Sequence, residues 1–398
     1  MPDKPPKIAI VTDWLTNVGG AERVLLAIHE MYPDAPIYTS KYDKKGIDWF
    51  KDADVRTGWL QIFPTSFRYF LSPLRQRYFR KLKLDDYDLV ISVTGAEAKG
   101  ITRAKKHICY CHVPTQYYWQ MYDNYVKHPG LGILSPIASF GLKLLIKPMR
   151  KRDYAAAQCP DKIITISHYA AEQIKKYYDR DTTIIAPPVN VAKFLGSGAK
   201  ATPDGKFSAA CGKLGNRETI KNEKSQPNST ERPPLKLITT SRQVAWKRID
   251  LCIKACLETG DELTIIGQGP EHNHLEEIAH NSPLISFYPQ MTQEELETFL
   301  RRSDGYLFPS LEPFGIAPVE ALAAGCPVIA YAKGGSLDYV KPGENGILFE
   351  EQTISSLADA IRLLRKSSFS REKVQNSAKP FDVSVFKQKM EKFIDENR

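Results

Sequence analysis

Residues 308–339 read FPSLEPFGIAPVEALAAGCPVIAYAKGGSLDY. Their pattern is a short strand ending near Pro309, a loop that carries Glu312, and a helix from about Ile316. A second strand is expected over 327–331, then a glycine turn at Gly334 and Gly335 that opens another helix. Glu312 falls in the loop after a strand and Glu320 in the first turns of the helix. Both carboxylates can then face the crevice at the carboxyl edge of a parallel sheet, where open α/β sheets bind ligands. Carboxylates accept hydrogen bonds from sugar hydroxyls, and helix N-termini attract phosphate oxygens. The pair suits a polyhydroxylated ligand with an anionic part. Two glutamates are also what an ordinary solvated helix surface offers, so their spacing alone decides nothing.

The surroundings are more specific. Glu312 and Glu320, with Phe314-Gly315 between them and Ala321, Gly325 and Pro327-Val328-Ile329 beyond, resemble the donor-site signature of family 4 retaining glycosyltransferases. The resemblance implies the GT-B fold: α/β, with two doubly wound Rossmann-like domains facing a central cleft and a C-terminal helix packing back on the N-terminal domain. It assigns Glu312 to the sugar hydroxyls and Glu320 to the ribose, neither as a nucleophile. Phe314, Gly315, Ile316 and Gly335 would surround the donor. Leu311 and Pro313 beside Glu312 depart from the acidic or small residues that many relatives carry, which leaves the shape of the sugar pocket open.

Working outward, a strand at 235–239 precedes SRQVAWKR, where Arg242 and Lys247 lie in the following loop and can reach a diphosphate. This loop resembles the Arg…Lys pair that stabilises the leaving nucleotide in the same family. The strand at 262–267 and its turn with Gly267 and Gly269 form the expected wall for the nucleobase. Strands at 284–288, 305–308 and 346–349 alternate with helices at 293–302 and 354–364, so this half reads as one doubly wound sheet.

The first half repeats the alternation. KIAIVT at 7–12 is a short apolar strand, and Gly19-Gly20 then opens a helix, VLLAIHEMY. Such a turn lets backbone approach a phosphate or sugar closely, and in this position it resembles the family's N-terminal glycine loop. The dinucleotide pattern G-x-G-x-x-G is absent, which speaks against a nicotinamide or flavin enzyme. Further strands are expected at 36–40, 55–57, 88–93, 107–111 and 162–166, with a helix HYAAEQIKKYY after Ser167, and TIIAPPV at 183–189 ends the first half. His112 closes the segment HICYCHVP. A lone histidine at a strand end is ordinarily structural, but CHVPTQYYWQMYDNY is similar to the segment carrying the family's active-site histidine, which would hydrogen-bond the donor sugar.

The chain has 398 residues, 42% hydrophobic and 25% charged, the composition of a globular protein with more than one core. Four parts are expected: an acceptor-side domain at 1–190, a flexible linker or insertion at 191–234, a nucleotide-sugar domain at 235–378, and a crossover helix at 379–398. The Gly, Ser, Asn, Lys and Pro of 196–234 bury too little surface to offset ordering entropy. Asn228-Ser229-Thr230 there fits a glycosylation sequon by chance. In the last helix, Phe386, Met390 and Phe393 have the spacing of a buried stripe.

A net charge of +9 raises three kinds of partner: nucleic acid, an anionic lipid surface, or phosphorylated substrates. No helix-turn-helix, zinc-finger or RNP-type pattern is present, so nucleic acid is set aside. Residues 64–83 interleave basic and aromatic side chains, and residues 129–152 are amphipathic and basic. Each is either an ordinary helix with its apolar face inward or a contact for an anionic membrane, and 64–83 could equally meet a diphosphate-bearing acceptor. No apolar run is long enough to span a bilayer and the N-terminus lacks a signal-peptide pattern. A cytoplasmic location is expected, with the inner membrane face as the site of such a contact. Cys109/Cys111 and Cys252/Cys256 read as pairs of buried thiols with no metal-ligand spacing, and the segments expected to line the cleft carry no Asp-x-Asp motif, consistent with a metal-independent reaction.

The resemblance as a whole implies a retaining transfer of a hexose, first guess mannose from GDP-mannose, to a saccharide or lipid-linked saccharide in envelope or exopolysaccharide synthesis. A nucleotide-sugar epimerase of the same fold and a non-catalytic carbohydrate-binding relative are the alternatives.

Overall fold

The computed structural model describes residues 6–65, 71–127, 135–195 and 233–398. The expected flexibility of 196–234 and its sequon therefore lie outside the described residues almost entirely, as do 66–70 and 128–134 of the two basic segments. The chain divides into two units, one of Met1–Val189 with Phe381–Arg398 and one of Asn190–Pro380.

The first unit is built on seven parallel strands: β1 (Ile8–Thr12), β2 (Ile37–Thr39), β3 (Val55–Thr57), β4 (Leu89–Thr94), β5 (His107–Cys111), β6 (Lys162–Thr165) and β7 (Thr183–Ile184). Their order is β3-β2-β1-β4-β5-β6-β7. Ile8 pairs with Leu89 and Thr12 with Val93, while Ile10 pairs with Ile37 on the other side of β1. Every residue of β1, β4 and β5 is buried. That is why these strands read as continuous aliphatic runs and not as alternating ones. Helices α1 (Gly20–Met31), α2 (Ser72–Lys81), α3 (Tyr122–Lys127), α4 (Ser135–Ala157) and α5 (His168–Tyr178) connect and cover them. The α5 boundary is set by Ser167, whose side chain accepts from the Ala170 N–H at 3.0 Å.

The second unit begins with α6 (Val191–Leu195). Then come β8 (Lys236–Thr240), α7 (Ile249–Thr259), β9 (Glu262–Ile266), α8 (His272–Ala279), β10 (Ile285–Tyr288), α9 (Gln293–Arg302) and β11 (Gly305–Phe308). They are followed by α10 (Ile316–Ala324), β12 (Val328–Tyr331), β13 (Gly346–Phe349), α11 (Ile354–Lys366) and α12 (Arg371–Ala378). All six strands are parallel, in the order β10-β9-β8-β11-β12-β13. The core joins α7 and α11 to the sheet through Leu251, Cys256, Ile265, Leu307, Ile329 and Ile361.

The last helix, α13 (Val383–Asn397), belongs to the first unit. Its Asp382 cap accepts from the Ser384 N–H at 2.9 Å, Lys387 meets Glu30 of α1 at 2.7 Å, and the Phe386 ring packs edge-on against Tyr110 of β5. The buried stripe is Phe386, Met390 and Ile394, so the third position is Ile394 in place of Phe393, which is only partly covered.

One expectation is corrected, the helix after Gly334. Within 183–189 only β7 is a strand, because Pro187 and Pro188 have no N–H to give the ladder. Val189 instead bonds Phe381 and Val383, at 2.9 and 3.0 Å. The element opened by Gly334 is a single 3-10 stretch, Gly334–Asp338, which ends at Tyr339 and makes no α-helix. In both sheets the strand order reverses direction at one place, between β1 and β4 and between β8 and β11. Each reversal leaves a crevice at the strand carboxyl ends.

Candidate functional site

In the second unit the reversal brings two loops side by side, the one after β8 with Arg242 and Lys247 and the one after β11 with Glu312. The Lys247 ammonium lies 2.5 Å from Glu312 Oε1, with both side chains about four-fifths covered. Ser310 Oγ donates to the same carboxylate oxygen at 2.7 Å, which fixes the Glu312 rotamer. Arg242 is exposed, and Glu320 on α10 is buried. A cation, an anion and an exposed guanidinium therefore share one sheet edge.

The backbone around them is tightly set. Gly315 holds φ +94°, and a Cβ there would come within 2.6 Å of the Phe308 ring. A Cβ on Gly335 would meet Pro313 O at 2.2 Å. The Gly335 N–H donates to Glu312 O at 2.8 Å. That amide is thus engaged within the loop. Phe314 is buried with its ring edge-on to Tyr339, and its carbonyl accepts from the Tyr339 hydroxyl at 2.8 Å. Ile316 opens α10 and is half-buried.

Gly267 and Gly269 press against the Arg242 loop. Added Cβ atoms would meet Ser241 O at 2.0 Å and Gln243 O at 2.2 Å. Gln243, fully buried, ties the two loops together. Its N–H donates to Gln268 O at 2.9 Å, its Nε2 to Gly267 O at 2.7 Å, and its Oε1 meets His272 Nδ1 at 2.8 Å. Sequence reasoning missed Gln243; its signal was a polar residue with no obvious partner between Arg242 and Lys247. It also passed over Trp246, which is 39% exposed beside Lys247.

In the first unit, Asp13 closes the β1 edge. Its carboxylate accepts from Thr94 Oγ1 at 2.8 Å and from the N–H groups of Gly95, Ala96 and Ala98 at 3.0, 3.0 and 2.7 Å. Burial, and then the nearby Glu97 charge, raise its carboxyl above the usual range against those bonds. Gly19 and Gly20 start α1 without a side-chain cap. The Glu22 carboxylate folds back so that a Cβ on Gly19 would meet Oε2 at 2.8 Å. Burial, with Asp13 adding to it, pushes that carboxyl up to about 7.

His112 follows β5, its N–H donating to Thr94 O at 2.9 Å. Its Nε2 is buried and meets no hydrogen-bond partner among the described residues. Burial pushes the imidazole down to about 4, and it does the same to His107, whose Nε2 lies 2.7 Å from Ser92 Oγ. Both rings are therefore neutral near pH 7. We expect neither histidine to titrate in the folded protein between pH 7 and 5, when followed by imidazole NMR. An unfolded chain takes up those protons near pH 6.5, so both groups contribute stability that is present above that value and lost as pH falls toward 4. A His112 titration near 6.5 would show the ring to be solvated.

Among the described residues no group of three or more His, Cys, Asp or Glu is placed to hold a metal ion, and no helix is long and apolar enough to cross a membrane.

Two parallel-sheet Rossmann-like units, each with its polar residues at the reversal of strand order, define a GT-B architecture. Residues 220–381 match the model of the family described as glycosyl transferases group 1. The GtfA subunit of the UDP-N-acetylglucosamine–peptide N-acetylglucosaminyltransferase of Streptococcus pneumoniae serotype 4 is 33% identical over 128 residues, 30% of this chain and 25% of that protein. The D-inositol 3-phosphate glycosyltransferase of Mycobacterium bovis is 36% identical over 107 residues, 26% of this chain and 22% of that one. The chain thus aligns with about a quarter of the length of these curated relatives. The crystal structure of Anabaena Alr3699/HepE in complex with UDP superposes with a TM-score of 0.70 at 17% identity, covering 98% of this chain and all of that one.

Proposed function

We propose that the chain is a retaining glycosyltransferase of the family 4 type that moves a hexose from a nucleotide sugar to a hydroxyl of a saccharide or lipid-linked saccharide. The observation that carries the reading is the Lys247–Glu312 pair at the β8/β11 edge with Arg242 exposed beside it. The bond from the anomeric carbon to the diphosphate oxygen breaks with its electron pair going to that oxygen, a bond to the acceptor oxygen forms, and the acceptor hydroxyl's proton passes to the departing diphosphate. The diphosphate departs with added negative charge, and fixed cations directed at developing charge commonly supply the largest catalytic contribution. Arg242 and Lys247 fill that role here without a metal. Glu312 accepts from sugar hydroxyls, and Glu320 is assigned to the ribose. In the first unit, the neutral His112 offers its Nε2 to a sugar hydroxyl. The sequence resemblance to mannosyltransferase-like members makes GDP-mannose the first donor to test. The relatives named above direct the second arm to UDP sugars. Envelope or exopolysaccharide synthesis at the inner membrane face is the setting the basic segments favour.

The test is a thermal-shift and diphosphate-release screen with GDP, UDP, ADP and dTDP sugars, run on the wild type and Glu320→Ala. A ligand that binds only the folded state raises Tm, by about 2.7 kcal/mol of added stability at a hundredfold excess over Kd. One nucleotide sugar should stabilise the wild type, release its diphosphate faster with acceptor, and lose both effects in the variant. Conversion of the sugar without diphosphate release would make the protein an epimerase. Absence of binding by all four classes would remove the transferase reading.

A further inference from the structure

The structure assigns a bilayer-facing surface to one side of α4. Ile137, Phe140 and Leu144 are 68%, 69% and 68% exposed, unusually open for large apolar side chains on a folded helix. At 100° per residue they fall within about 60° of arc, and Lys147 and Lys151 continue the same stripe toward the helix C-terminus. Both lysines are exposed, as are Leu145, Lys143 and Arg152 at its flanks. Residues 135–152 contain no Asp or Glu, so every charge on the helix there is positive.

The opposite side fixes the helix in place. Ile146 and Met149 are buried with Tyr118, Asp153 is ion-paired with Lys99 at 2.7 Å, and the Arg150 guanidinium lies 5.1 Å from the ring centres of both Trp119 and Tyr122. The exposed stripe therefore cannot roll inward without breaking those contacts. The other basic segment is different among its described residues: Arg77, Arg80, Lys81 and Lys83 are exposed, but Tyr78 and Phe79 are buried and Leu74, 36% exposed, is the one large apolar side chain of α2 that reaches the surface.

An apolar stripe that runs into a purely cationic one is complementary to a membrane bearing anionic headgroups. The apolar side chains reach the acyl boundary while the lysines stay at headgroup depth. We propose an anionic lipid bilayer as the occupant. This deepens the lipid-linked part of the proposed function, but vesicle binding is measured without any nucleotide sugar, so either reading can fail alone.

The experiment is co-sedimentation of the full chain with phosphatidylcholine vesicles and with phosphatidylcholine/phosphatidylglycerol vesicles, at low and high salt. It is repeated with Phe140→Ser/Leu144→Ser and with Lys147→Gln/Lys151→Gln, and light scattering follows the chain alone. All substituted side chains are exposed, and unchanged melting curves confirm folding. Wild type should sediment with the anionic vesicles only, release at high salt, and bind about tenfold or more weakly in each double variant. No binding to anionic vesicles, equal binding to both, or binding unaffected by either double variant overturns the proposal. So does a concentration-dependent dimer that Phe140→Ser/Leu144→Ser abolishes, which would make the occupant a second copy of this chain.

Discussion

Lys247→Ala is expected to lower donor-dependent diphosphate release by about 10²- to 10³-fold, the usual cost of removing one fixed donor directed at developing charge. Lys247 is held at 2.5 Å from Glu312 in the ligand-free chain, so its charge is already placed before a diphosphate arrives. Preorganisation of this kind spares the reaction the work of bringing a flexible side chain into position. Lys247→Arg should not restore full activity, because a planar fork replaces a point charge in a space already shared with Glu312 and Ser310. Arg242→Ala should cost less, since Arg242 is exposed and its guanidinium is not ion-paired among the described residues. Steady-state rates with the donor selected by the screen check this. A Lys247→Ala rate within about threefold of wild type would place the leaving-group charge elsewhere, since one preorganised contact is worth far more.

The largest stability loss is expected at Asp153→Ala. Asp153 and Lys99 form a fully buried ion pair at 2.7 Å, and the carboxylate also accepts from Thr115 Oγ1, Trp119 Nε1 and the Tyr178 hydroxyl at 2.8, 2.7 and 2.7 Å. Removing one partner of a buried pair strands the other, at a cost of about 3–5 kcal/mol. For a unit near 200 residues that lowers Tm by about 6–20 °C, read by calorimetry. Lys99→Met/Asp153→Leu should recover only part of the loss, because it strands neither charge but leaves the Trp119 Nε1 and Tyr178 hydroxyl donors without their acceptor. Burial acts to lower the Lys99 ammonium, but Asp153 and the Tyr178 side chain more than offset it and hold it well above its ordinary value. Its contribution is therefore complete below the usual lysine range and lost only as pH rises through that higher value. Glu97 is the acid-side counterpart. Burial raises its carboxyl, but Arg75 at 2.9 Å and the hydroxyls of Ser72 and Tyr117 bring it below the usual range. That stability is present above ordinary carboxylate pH and lost as pH falls through the depressed value. A loss below about 1 kcal/mol for Asp153→Ala would mean that water reaches the pair.

Much of the fold was legible because local rules and burial agree in it. The α5 boundary follows from Ser167, the start of α10 from Gly315, and the strands from aliphatic runs buried on both faces. The buried ion pairs were not legible. Lys99, Asp153, Arg75 and Glu97 look like surface charges in one dimension, and only partners 54 and 22 positions away give them reason to be inside. At the candidate site, the loop positions of Arg242, Lys247 and Glu312 followed from the strand ends, but the ion pair between loops 65 positions apart did not. The packing role of the glycines was not legible either: the missing side chains of Gly267, Gly269 and Gly335 leave room for other backbone, and the Gly335 N–H donates to Glu312 O. On α4, periodicity gave amphipathicity but not which side faced the protein; the buried Ile146, Met149 and Asp153 settle that.

The return of α13 to the first unit has a consequence for synthesis. The second unit is one uninterrupted segment, so it can complete its core once Pro380 has left the ribosome. The first unit has had its sheet strands available for some 190 residues by then, yet Tyr110 still lacks Phe386 and Val189 still lacks Phe381 and Val383. Domains ordinarily fold in the order in which they emerge. Here the unit that is made first is finished last, and its unpaired core must be kept from other partners until residues 381–398 arrive.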